Sequence, residues 1–115
     1  MTMPSESTGS ERWAPAVALF RSLGDPARLA ILARLEVGEA RVVDLTAACG
    51  LAQSTVSEHL TCLRECGLVA SRPAGRASVH YLAQPALAEL FQAAEALLRA
   101  TGDAVALCPN YQQQA

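Results

Sequence analysis

Cys62 and Cys66 stand four residues apart in the segment Thr61-Cys62-Leu63-Arg64-Glu65-Cys66-Gly67. On a helix, positions four apart lie about 40° from one another around the axis, so both sulfurs can face one point. Thiolates are soft donors that select ions such as Cd(II), Pb(II), Zn(II) or Cu(I) over hard cations. Two thiolates leave such an ion under-ligated, so a third donor has to come from elsewhere. Cys108 is the natural candidate, because a cysteine in an otherwise polar tail has no packing reason. Three sulfurs alone suit Pb(II) or As(III), whereas Cd(II) or Zn(II) prefers a fourth donor. The remaining cysteine, Cys49, precedes Gly50 and reads as a small buried apolar side chain.

A second constellation begins a few residues earlier. If Val56, Leu60 and Leu63 face inward on one helix, then Gln53, Ser54, Ser57, Glu58 and Thr61 face outward. Gln can pair with adenine through two hydrogen bonds, and Ser can serve several bases. Arg72 and Arg76 follow on a short hairpin and suit phosphate or minor-groove contact. The plainer reading is that Gln53, Ser54 and Ser57 only cap and solvate a surface helix. Glu58 suits cytosine but repels phosphate, and its presence departs from a simple basic reader.

These side chains need elements to hold them. Trp13, Val17, Phe20 and Leu23 recur at helical spacing over Glu11 to Leu23, with Pro15 in the first turn and Gly24 as the stop. Asp25-Pro26 opens a second helix, as N-cap and first helical residue, with Leu29, Ile31, Leu32 and Leu35 on its apolar face. Val42 to Cys49 is a short helix ended by Gly50, and Gln53 to Cys66 follows, with Gly67 at the C′ stop. Two short helices joined by a tight glycine-containing turn form a helix-turn-helix. Leu68–Arg72 and Ala77–Leu82 read as strands joined by Pro73-Ala74-Gly75-Arg76. Pro85 opens a last helix with Leu87, Leu90, Phe91, Ala94, Leu97 and Leu98 on its inner side, and Gly102 breaks it. The expected fold is mainly α with a small β-hairpin wing: a winged helix-turn-helix in the order α-α-α-α-β-β-α. Residues 1–10 are expected to be disordered, residues 11–101 to form the domain, and residues 102–115 to be a tail carrying Cys108.

The composition narrows the function classes. The 115 residues suit one domain, and 51% hydrophobic content with only five aromatic residues favours packed helices over a large sheet. No apolar run reaches the roughly 18 residues that span a bilayer, and the polar N-terminus lacks the order of a secretory signal. The expectation is a cytoplasmic protein with no membrane partner, where disulfide staples are rare. Net charge is −2, so overall charge does not advertise nucleic-acid binding. All nine basic residues are Arg, and residues 51–82 hold three Arg against two Glu. A dimer would double that small basic patch. A thiol enzyme is disfavoured: there is no Cys-x-x-Cys, and no Asp or His is placed to activate Cys62.

Several segments together resemble the ArsR/SmtB repressors. Leu23-Gly24-Asp25-Pro26-Ala27-Arg28-Leu29-Ala30-Ile31-Leu32 is similar to their second-helix signature. Ser54-Thr55-Val56-Ser57-Glu58-His59-Leu60, then Leu63 and Gly67-Leu68-Val69, resemble their recognition helix and its exit. Gly75-Arg76 and Tyr81 resemble their wing. The resemblance spans about Trp13 to Leu98. It implies a homodimer joined by the first and last helices, with Trp13 and Phe20 in the dimer core. It also implies binding to palindromic operator DNA that ends when an effector binds, and it places His59 on the DNA face or in packing. Two effector sites used in that family are absent here. Arg41-Val42-Val43 replaces a Cys-Val-Cys triplet before Asp44-Leu45, and Pro85 to Ala100 holds neither His nor Asp. The Cys62, Cys66 and Cys108 trio resembles the cadmium- and lead-sensing (CmtR) branch, in which the third Cys comes from the partner's tail. The expected effector is Cd(II) or Pb(II), with Zn(II) and As(III) as chemical competitors. The rival readings are a redox or persulfide sensor on the same scaffold and a winged-helix protein-interaction module.

Overall fold

In the computed structural model, which describes residues 5–102 and 104–107, most helix boundaries coincide with local stop and start residues. The order is α1 (Ser5–Leu23), α2 (Pro26–Val37), α3 (Val42–Cys49), α4 (Gln53–Glu65), β1 (Val69–Ala74), β2 (Ala77–Leu82), α5 (Ala86–Ala100) and α6 (Ala104–Leu107). Asp25 caps α2: the Arg28 backbone N–H donates to its Oδ1 at 3.0 Å, and Pro26 fills the first helical position. The Asp44 carboxylate accepts the Arg41 backbone N–H at 3.0 Å and so closes the start of α3. At the end of α4, the Gly67 N–H donates to the Arg64 carbonyl and the Leu68 N–H to the Leu63 carbonyl. That paired arrangement needs the left-handed backbone that Gly67 adopts at φ 81°.

The first helix differs from the periodicity-based expectation. It starts at Ser5 rather than Glu11, so residues 5–10, expected to be disordered, continue the helix. Their polar composition left no apolar stripe by which a helix could be read. Pro15 consequently lies inside the helix instead of in its first turn. An interior proline removes one backbone hydrogen bond and costs roughly 3 kcal/mol. Residues 1–4 lie outside the described residues.

The core is built where five helices and the wing meet. Ile31, Leu32 and Leu35 of α2 bury against Leu45 of α3 and against Val56, Leu60 and Leu63 of α4. Leu23, Val69 and Leu87 complete it from α1, β1 and α5. Each fully buried aliphatic side chain contributes about 1.5–3 kcal/mol from removed apolar area. The outer faces of α1 and α5 find no such cover within one chain. Trp13 and Phe20 are each 57% exposed and Leu97 is 62% exposed. Of the inner-side residues expected on α5, only Leu87 is buried, while Leu90, Phe91 and Leu98 are half-buried and Ala94 is exposed. No described helix is long and apolar enough to cross a membrane.

β1 and β2 form an antiparallel hairpin in the register Val69↔Leu82 to Ala74↔Ala77. Gly75, at φ 67°, opens the two-residue turn. Pro73 is tolerated in β1 because that strand is an edge. The other strand is anchored: Ala40, in the α2–α3 loop, exchanges two backbone hydrogen bonds with His80, at 3.0 and 2.7 Å. His80 is 4% exposed, and its Nδ1 has no hydrogen-bond partner among the described residues. Burial, and to a lesser degree the nearby Arg64 guanidinium, hold its imidazole below the ordinary value of 6.5 and so keep it neutral. Below 6.5 the unfolded chain gains a proton that the fold resists, so falling pH favours unfolding. We expect chemical denaturation to give a stability that is level above pH 7 and declines as pH drops from 6.5 toward 5. His80→Phe should flatten that decline, because an apolar ring replaces the orphaned nitrogen. An unchanged slope in the variant would remove His80 as its cause.

Candidate functional site

The buried seam of α4 decides which of its residues meet solvent. With Val56, Leu60 and Leu63 inside, the side chains of Gln53, Ser54, Ser57, Glu58 and Thr61 form an exposed row. Gly50 ends α3 in the left-handed region at φ 66°, and the chain re-enters helix at Gln53. The N-cap of α4 is Ala52, which offers no side-chain acceptor to the first N–H groups. These donors sit at the positive end of the helix dipole, where an anion is favoured. The row therefore presents amide, hydroxyl and backbone donors together.

His59 does not join that row. It is half-buried and lines a cavity of about 460 Å³ with Asp25, Pro26, Ala27, Cys49 and Leu51. Cys49 is half-buried and packs against the core.

The two wing arginines are treated differently. Arg76 occupies the turn beside Gly75 and is exposed. Arg72 lies on β1 opposite Val79, and its guanidinium is held in an ion pair by Glu39. Sequence periodicity gave no sign of Glu39, because the partners are 33 residues apart.

The thiols lie at the other end of α4. Cys62 is half-buried, and Cys66 closes the helix with its backbone N–H donating to the Cys62 carbonyl at 3.0 Å. Four residues apart at the end of one helix, the two side chains are neighbours on one face. Cys66 is exposed as a residue, yet it also lines a pocket of about 220 Å³ against α1 with Pro15, Ala18, Leu19, Ser22 and Leu68. Shielding there, followed by the adjacent Cys62 thiol, pushes the Cys66 thiol above its ordinary value. The Arg28 guanidinium works in the opposite direction. Its Nε donates to the Ser22 carbonyl at 3.1 Å, and Ser22 lines the same pocket as Cys66. Sequence spacing gave no sign of this electrostatic influence of Arg28 on Cys66. Among the described residues no group of three or more His, Cys, Asp or Glu side chains could hold a metal ion. The structure therefore brings two of the three expected sulfur donors together. Cys108, the third, lies outside the described residues.

Known proteins resemble this one in sequence and in fold. Residues 25–71 match the family described as "Bacterial regulatory protein, arsR family". The transcriptional regulator NmtR of Mycobacterium tuberculosis is 38% identical over 91 residues, covering 79% of this chain and 76% of that protein. A probable mercury resistance operon repressor of Streptomyces lividans is 34% identical over 89 residues, covering 77% and 71%. The regulator CmtR of Mycobacterium bovis is 46% identical over a shorter stretch of 70 residues, 61% of this chain and 59% of that one. Among solved structures, Mycobacterium tuberculosis Rv0081 superimposes with a TM-score of 0.69 at 33% identity, covering 90% of this chain and 99% of its own. The fold, the exposed helix row with its wing, and these relatives agree: the chain belongs to the arsR family of bacterial regulatory proteins, and is a winged helix-turn-helix transcriptional repressor rather than an enzyme.

Proposed function

We propose that this repressor releases its operator when a soft metal ion binds the thiolates of Cys62 and Cys66, with Cys108 as third donor. The observation that carries this reading is the placement of two thiols, four residues apart, at the C-terminal end of the same helix whose N-terminal half faces outward. Cd(II) or Pb(II) is the proposed effector, in keeping with the resemblance to the cadmium- and lead-sensing branch. Zn(II) and As(III) compete chemically, and the relative named for mercury resistance adds Hg(II) to the ions worth titrating. Gln53, Ser54 and Ser57 read base edges of a palindromic operator, Arg76 and Arg72 meet phosphate, and His59 supports the helix from within. Residues 11–101 act as the DNA-binding and dimerising domain, and residues 102–115 as the tail that delivers Cys108.

A homodimer is supported by the apolar faces left open on α1 and α5. Phe20, Leu23, Leu29, Leu90, Phe91 and Ala94 line one cavity of about 280 Å³ there. The partner would bring a second copy of α4 for the second half-site. Phe20→Glu should therefore shift the protein from dimer to monomer in analytical ultracentrifugation and weaken operator binding with it. A variant that stays dimeric would move the interface elsewhere.

Ion binding must displace the thiol protons, and the raised Cys66 thiol makes that displacement harder as pH falls. Coupling energies between effector and DNA are typically about 1–3 kcal/mol, and DNA weakens metal binding by the same factor. The test is a Cd(II) titration that follows ultraviolet thiolate-to-metal absorbance and affinity for a duplex selected by the wild-type protein from random sequence. Wild type should show the absorbance and lose affinity for the duplex by about 5- to 150-fold. Cys62→Ser and Cys66→Ser should each keep DNA binding while losing both responses. If both variants respond like wild type, the thiol pair is not the sensor. The same placement of the two thiols also suits a second reading, a redox sensor that closes a disulfide. That reading requires release by peroxide in metal-free buffer.

A further inference from the structure

The wing carries two arginines, but the fold leaves only one of them at liberty. Arg76 makes no ion pair or side-chain hydrogen bond among the described residues. Arg72 donates from Nη2 to both carboxylate oxygens of Glu39, with the contact to Oε2 at 2.6 Å. Glu39 directly precedes Ala40, the residue that exchanges two backbone hydrogen bonds with His80. The α2–α3 loop and the wing are therefore joined at two adjacent points, one ionic and one through backbone. The backbone joint makes no use of the Glu39 side chain.

We infer that Glu39 sets the DNA affinity of this repressor by occupying Arg72, competing with a DNA phosphate for the same guanidinium. The inference rests on the reading above that α4 and the wing face DNA. Carboxylate and phosphate bind a guanidinium in the same way, through charge-assisted hydrogen bonds to its planar fork. The pair is accessible to a competitor, since the two side chains are 52% and 45% exposed. Exposed ion pairs are weak, so an arriving phosphate can displace the carboxylate. While the pair holds, however, Arg72 contributes no net positive charge, and a counterion that it would release on DNA binding stays bound. Glu39 thus lowers both the affinity and its salt dependence. A chain with net charge −2 and one free wing cation is in this way kept a moderate binder.

The prediction concerns Glu39→Gln, which keeps size and polarity but frees Arg72. Its affinity for the duplex selected by the wild-type protein should rise about 5-fold, and the slope of log affinity against log salt should steepen by about 0.9 per subunit. Glu36→Gln, which removes an exposed carboxylate of α2 without touching the wing, measures the effect of charge alone. The Glu39→Gln gain should exceed that control and should vanish in an Arg72→Ala background. Amide exchange at Ala40 and His80 should stay as in wild type, because the backbone joint remains. A gain equal to that of Glu36→Gln, or one that persists without Arg72, overturns the inference. So does faster exchange at Ala40 and His80, which assigns the gain to a loosened wing. If wild type itself shows no salt-dependent duplex binding, the DNA-facing reading has failed, and the inference falls with it before any variant is compared.

Discussion

What α4 presents to its surroundings is oriented by one buried seam, that of Val56, Leu60 and Leu63 against Ile31, Leu32 and Leu35 on α2. All six are buried, four of them with no exposed surface at all. Because a helix turns 100° per residue, fixing that seam fixes everything else on α4. Gln53, Ser54 and Ser57 are forced outward at one end. Cys62 and Cys66 are placed at the other, with Cys66 against α1. A 13-residue helix thereby carries an outward polar row and a thiol pair about two turns apart. Any shift of the seam moves both, and this gives a physical basis for coupling an effector to an operator without a long-range pathway.

The wing depends on a different constraint. Two strands alone are marginal in water. The hairpin is held by Val69 and Val79 in the interior, and by the Ala40–His80 backbone exchange at its inner edge. That edge needs His80 to be buried and neutral, at the cost of an unsatisfied Nδ1. Around the same joint sit Arg64, Arg72 and Glu39, so the buried imidazole of His80 has three charged side chains for neighbours. Electrostatics and wing position are thus set by the same few residues.

A single chain leaves two surfaces incomplete. The outer faces of α1 and α5 expose Trp13, Phe20 and Leu97, which in a domain this small is a large apolar area to leave in water. The thiol pair supplies two donors where soft-ion coordination asks for three or more. Both gaps lie on or beside α1, since Cys66 shares a pocket with Pro15, Ala18, Leu19 and Ser22. The helix with an interior proline is the one that borders both.

Much of this was legible in the sequence because it is local. Asp25-Pro26, Gly50, Gly67 and Gly75 mark helix and turn boundaries through backbone preferences that need no distant partner. The α4 boundaries and its inward and outward rows follow from period 3.6 alone. The pairing of Cys62 with Cys66 follows from the same geometry. The start of α1 was not legible, because Ser5 to Ser10 carry no apolar stripe by which to read a helix. Nor could periodicity say what covers α5: it shows that Leu90, Phe91 and Leu97 share a face, not that this chain leaves the face open. Tertiary structure alone put His59 in a pocket with Asp25 and Cys49, set Cys66 against α1, and gave Arg72 to Glu39 across 33 residues. Local preference acts through neighbours along the chain, whereas these choices depend on which distant side chains the folded core brings within a few ångströms.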